Sequence, residues 1–195
     1  MEPSKAVRAH TGRKRNDAAR QAILRAVPAV LAAAGRIDVT MSEIAAAACV
    51  GKQTIYRWWP SRGALLLDAM SEWASGAVPR PATGNRRDDV AAFLRATFAA
   101  ASAPPAEVLL RAILADAQRD RQVADLLAEF VAVRRGALAR LLARDGASPA
   151  DVDLLVDQAF GVLWYRLAVT RAPLSDDLAD RLADSLCAAP TPANP

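Results

Sequence analysis

The sequence predicts an all-α protein of about nine helices, with a small N-terminal domain followed by a larger helical one. Three observations lead there. Apolar residues fill 53% of the 195 positions, and Ala and Leu, both strong helix formers, supply much of that share. The alternation of β-branched and aromatic residues that marks half-buried strands is nearly absent. Apolar positions instead recur at helical spacing between short breaks rich in Pro, Gly and Asp. A chain of this length buries an ample core. It contains no run of eighteen apolar residues, so no membrane span is expected. Its basic, polar start lacks the apolar stretch of a secretion signal. Cys49 and Cys187 lie far apart and read as small buried apolar groups in a reducing, cytoplasmic setting.

The elements follow in order. Residues 1–15 have no periodicity and carry Arg8, Arg13, Lys14 and Arg15. This is either a basic arm of the kind that enters a narrow minor groove or a solubilising tail. A helix is predicted over residues 17–34, with Ile23, Val27, Val30 and Leu31 on one face and Gly35 at its end. Pro28 is a local departure that predicts a kink. Two short helices follow over residues 40–62. Ser61 caps a fourth helix carrying Leu65, Leu66, Leu67, Met70 and Trp73. Residues 76–87 form a loop. Helices are then predicted over residues 88–101, 106–117 and 121–144. Ser148 followed by Pro149 starts the next, over about residues 150–170. It is apolar on several faces, as expected of a helix buried in a core or a subunit contact. Ser175 caps a last helix, over residues 176–187, before a Pro-rich tail.

Residues 39–62 are the most informative stretch. Thr40 caps the first short helix, and Glu43 three residues later completes a capping box. Ile44, Ala45 and Ala48 share one buried face, and the small alanines let a second helix cross closely. Cys49-Val50-Gly51 is the turn, with Gly51 expected to relieve the backbone. The second helix is predicted over residues 52–58, until Pro60 stops it. Ile55 and Trp59 face inward, leaving Lys52, Gln53, Thr54, Tyr56, Arg57 and Trp58 outward. This is the layout of a helix-turn-helix DNA reader, and the outward set suits phosphates and base edges. Gln53 matches adenine and Arg57 matches guanine, each for roughly 1–3 kcal/mol of discrimination. Thr40 and Ser42 set hydroxyls at a helix N-terminus, a favourable place for a phosphate.

Charge points the same way. Residues 1–62 hold eleven Lys/Arg against four Asp/Glu, a net of +7. The remainder holds fourteen against seventeen, a net of −3. A basic head on a mildly acidic body predicts a polyanion partner for the head alone.

The pattern Thr40, Ile44-Ala45, Cys49-Val50, Thr54-Ile55-Tyr56, Trp59-Pro60-Ser61-Arg62 and Ala64-Leu65 resembles the TetR family of bacterial transcriptional regulators. The likeness is specific over about residues 17–70 and looser beyond, where the Trp164-Tyr165-Arg166 region is similar to one C-terminal variety of the family. Cys49 stands where the family usually has glycine, and Gly51 where it usually has a capping serine, at a cost of a few tenths of a kcal/mol. The resemblance implies a homodimer on a double-stranded DNA operator, with a DNA-binding domain over residues 1–62. An effector-binding and dimerisation domain follows over 63–195. The last two helices would pair with their mates, and a small-molecule effector would swing the fourth helix and relieve repression. Tyr56 is implied to meet a phosphate, and so is Arg62, which replaces the usual lysine.

In the larger domain Trp73, Phe93, Phe98, Phe130, Trp164 and Tyr165 are candidates to line the effector pocket; plain core packing is the alternative. Arg111 and Arg166 stand in mostly apolar helices and need partners. An acidic ligand would serve, but Asp116 or Asp157 is the preferred reading. No cofactor is implied. A zinc site is not expected, because His10 is the only imidazole, and no nucleophile–base set supports a small helical enzyme. Asp88-Asp89 and Asp176-Asp177 sit at helix starts, where they oppose the dipole. An effector-independent DNA-binding protein is the remaining alternative.

Overall fold

The computed structural model describes residues 11–74, 79, 81–143 and 148–188. His10, Arg8 and the Pro-rich tail lie outside the described residues, as do the side chains of Arg13, Lys14 and Arg15. The described chain is helical without strands. Its helices are α1 (Thr11–Ala34), α2 (Met41–Ala47), α3 (Lys52–Tyr56), α4 (Arg62–Trp73), α5 (Arg86–Ser102), α6 (Pro104–Ala117), α7 (Arg121–Leu142), α8 (Pro149–Tyr165) and α9 (Asp176–Cys187).

The caps explain most of the boundaries. The hydroxyls of Ser61, Ser148 and Ser175 accept the backbone N–H groups of Ala64, Asp151 and Leu178. Pro149 follows its cap at the first helical turn, where its missing N–H costs nothing. Thr40 and Glu43 form the full reciprocal capping box. α5 begins two residues earlier than its acids predict, because Asn85 caps it. Asp89 then turns inward and accepts Thr83 N–H at 2.7 Å and its hydroxyl at 2.8 Å.

Five further expectations change. α6 starts at Pro104 rather than at residue 106, its two prolines taking the first turn. α1 starts at Thr11, before residue 17; it holds Pro28 inside it as the sequence reading placed it, with Ile23, Leu24, Val27 and Leu31 all buried along its inner face. α3 ends at Tyr56 rather than at residue 58; Trp58 N–H bonds the Ile55 carbonyl, tightening the last turn. α8 ends at Tyr165 and widens into a π-helical turn, Arg166–Thr170, which Arg171 closes in the left-handed region. The cysteines are not both buried: Cys49 is exposed and Cys187 only partly covered.

A continuous core joins all nine helices. α1, α2 and α3 make the small N-terminal layer. α4 packs on α1 on one side and on α6 and α7 on the other. α5 lies against α9. Ala179, Ala183 and Leu186 are buried on α9, while Arg87–Asp184 and Arg95–Asp180 pairs stitch the rim. α7 is tied to α8 by Arg135, which pairs with Asp153 at 3.1 Å and Asp157 at 2.7 Å.

Two positions set tolerances. The α2–α3 turn puts its left-handed residue at Cys49 (φ +53°), while Gly51 is extended at φ −71°. The backbone relief expected of Gly51 is therefore needed two residues earlier. Cys49→Gly should raise the unfolding free energy by about 1 kcal/mol in urea titration, since a side chain is disfavoured in that region. Gly63, at the start of α4, touches α7: a Cβ there would lie 2.5 Å from Val123 Cγ2. Gly63→Ala should lower stability by roughly 1–3 kcal/mol, and adding Val123→Ala should restore part of it.

Candidate nucleic-acid interface and effector cavity

α3 presents the outward set. Lys52, Gln53, Tyr56 and Arg57 are exposed and Thr54 is half-buried. Tyr56 is 48% exposed and Trp58 36%, high values for aromatic rings. Lys52 Nζ sits 5.7 Å from the Tyr56 ring centroid, so one cation and one phenol share the same patch. Beneath them Ile55 and Trp59 are buried. Trp59 Nε1 donates to Asp68 Oδ2 at 2.9 Å, and Arg20 donates to the same oxygen at 2.6 Å. The Arg20 guanidinium also lies 5.9 Å from the Trp59 ring centroid. α1, α4 and the segment that follows α3 thus meet at one carboxylate, which fixes the angle at which α3 is presented.

The start of α2 differs from the open anion site read from the sequence. Thr40 donates both its N–H, at 2.7 Å, and its hydroxyl, at 2.8 Å, to Glu43 Oε2. Those donors hold the Glu43 carboxyl below its usual range, with Arg36 adding attraction. Arg36 also bonds Asp38 at 2.8 Å and holds that carboxyl low. An internal carboxylate therefore occupies the Thr40 end, and Ser42 is the exposed hydroxyl that remains.

Arg62 is placed differently from its implied phosphate role. Its Nε donates to Asp116 Oδ2 at 2.9 Å and its Nη2 to Asp116 Oδ1, a bidentate pair across α4 and α6. Its Nη1 donates to the carbonyls of Ile37 at 2.8 Å and Val39 at 2.9 Å. The α1–α2 loop, α4 and α6 are held together through this single guanidinium.

Of the pocket candidates, the structure brings together Trp73, Phe130 and Trp164 around a cavity of about 310 Å³. Phe160, Leu110 and Met70 complete much of its apolar wall. Phe93 and Phe98 do not line it; they are fully buried in the packed seam behind. Tyr165 turns to solvent at 58% exposure. Arg111 is also absent from the wall and pairs with Glu107 at 3.6 Å, one helical turn away. Arg166 donates to the Pro173 carbonyl at 2.6 Å. The preferred partners fail because Asp116 is taken by Arg62 and Asp157 by Arg135. Two polar lining residues escaped the sequence reading, Arg134 and Thr97. The signal for Arg134 was available: it follows Phe130 by four residues on one helix face, and its guanidinium lies 4.7 Å from that ring.

Comparison with known proteins agrees with this architecture. A family model described as "Tetracyclin repressor-like, C-terminal domain" matches residues 80–186, and one described as "Bacterial regulatory proteins, tetR family" matches residues 23–69. The chain is 28% identical over 172 residues to the uncharacterized HTH-type transcriptional regulator YdeS of Bacillus subtilis (strain 168), covering 85% of this chain and 86% of that one. It is 27% identical over 154 residues to the uncharacterized HTH-type transcriptional regulator Rv1556 of Mycobacterium tuberculosis, covering 76% and 75%. The crystal structure of TetR family transcription regulator SCO0332 superposes with a TM-score of 0.65 at 30% identity, covering 86% of this chain and 96% of that one. Multidrug binding protein EbrR complexed with ethidium shares the fold at a TM-score of 0.63 and 19% identity, covering 86% and 98%. The chain belongs to the TetR family of DNA-binding transcriptional regulators, a class that is not enzymatic.

Proposed function

We propose that this protein is a cytoplasmic homodimeric repressor that leaves a palindromic operator when a small effector fills the cavity beside α4. Residues 1–62 would contact DNA, and residues 63–195 would sense the effector and dimerise. The observation that carries this reading is the position of α4. Its first residue, Arg62, grips the α1–α2 loop, and its far end supplies Met70 and Trp73 to the cavity wall. A ligand that displaced Trp73 would act on a rod whose other end sets the pose of the reading head. Effectors shift such equilibria by binding one state better than the other.

In this reading Lys52, Gln53, Thr54, Tyr56, Arg57 and Trp58 enter the major groove, with Ser42 close to the backbone. A duplex selected from a random pool should bind with a steep salt dependence, about 0.9 log units of affinity per log unit of salt for each phosphate neutralised. The double variant Tyr56→Phe, Arg57→Ala should lose at least about tenfold in affinity for that duplex. Unchanged binding would contradict the assignment of α3.

Dimerisation is supported by α8. Leu154 is 59% exposed, Tyr165 58% and, in the π-helical turn, Val169 67%. They lie at near-helical spacing with Gly161 between them, an apolar stripe without cover in the single chain. α9 turns its Ala179, Ala183 and Leu186 face onto α5, so α8 would carry the larger share of the contact. Sedimentation at micromolar concentration should show twice the 20.7 kDa chain mass. Leu154→Asp with Val169→Asp should shift it to the monomer. A wild-type monomer would refute the dimer.

A further inference from the structure

The cavity has an electrostatic character that its aromatic wall obscures. Arg134 reaches it from α7. It is the one charged side chain among the described lining residues, and no carboxylate lies at ion-pair distance from it among the described residues. Its neighbour Arg135 has Asp153 and Asp157, so the lack of a partner belongs to Arg134's side of the helix. The guanidinium is half-buried over the Phe130 ring, and that burial pulls it below its ordinary range. A cation held away from water gains most from an anion brought to it.

Thr97, on α5, borders the same cavity, but its hydroxyl Oγ1 is covered by neighbouring atoms, so Arg134 is the polar anchor that the described wall offers.

We infer that the cavity takes a hydrophobic, ring-bearing monocarboxylate, its acid group on Arg134 and its ring between Trp73, Phe130 and Trp164. The aromatic walls supply flat apolar surface for the ring system. The guanidinium offers a planar pair of donors matched to two carboxylate oxygens. Organic cations are disfavoured, since the described wall has one positive charge and no acid. This inference rests on the reading of the cavity as the effector site and narrows it to one chemical class.

The test uses three probes of one shape, naphthoate, naphthalenemethanol and naphthylmethylammonium, titrated calorimetrically into the full-length protein. Naphthoate should bind at least about tenfold more tightly than the alcohol, and the ammonium more weakly still. Arg134→Gln should abolish the preference for acid over alcohol, and Arg134→Lys should retain part of it. Equal or tighter binding of the alcohol or the ammonium would overturn the inference. So would a preference that survives Arg134→Gln, or no binding by any of the three. Repeating the titrations with the selected duplex separates the two readings. Naphthoate bound through Arg134 without effect on the duplex keeps the anion site and removes effector release. Loosening of the duplex by the alcohol alone does the reverse.

Discussion

Arg62 holds three separate parts of the chain at one point. Its guanidinium spends donors on Asp116 of α6 and on the carbonyls of Ile37 and Val39, which lead into α2. The pair is largely buried, with 18% and 15% of the two side chains exposed, so it is weakly screened. Removing either partner of such a pair leaves the other with an uncompensated charge, which makes the contact difficult to replace. The reading head is consequently no independent bead on a tether. Its loop, the rod α4 and the floor of the larger unit share one set of hydrogen bonds.

A second node supports the first. Asp68 sits on α4 and receives both the Trp59 indole N–H and the Arg20 guanidinium. Trp59 closes the segment that carries the outward side chains, and Arg20 lies on α1. With Arg62 at the first residue of α4 and Asp68 two turns along it, the small layer is fastened to α4 twice. Met70 and Trp73 then continue the same helix to the cavity. A side chain moving at the cavity end of α4 has a continuous helical path to the end that carries Arg62, through contacts that are named and can be cut singly.

Much of this was legible in the sequence because it rests on local chemistry. The capping box of Thr40 and Glu43, the serine caps at 61, 148 and 175, and the inward pair Ile55 and Trp59 depend on residues within four positions of each other. What escaped depends on partners far apart in the chain. Arg62 reads as a phosphate contact until α6 brings Asp116, 54 residues away, against it. Phe93 and Phe98 have the same composition signal as Phe130, and only the crossing of α5 with its neighbours decides that they are core and Phe130 is wall. The strained Cys49 was misjudged for a different reason. Gly51 is the residue that tolerates a left-handed backbone, yet the turn needs that conformation two positions earlier.

The central claim is that the cavity and the reading face communicate through α4. The direct measurement is the affinity for a selected duplex with and without a saturating cavity ligand, in the wild type and in Asp116→Ala. The account predicts that ligand weakens duplex binding by about fivefold or more in the wild type. In the variant, once separate titrations have established that it binds the duplex and the ligand each alone, that ratio should fall toward one. An equal ratio in both proteins, or none in the wild type with the ligand shown to be bound, would contradict the account.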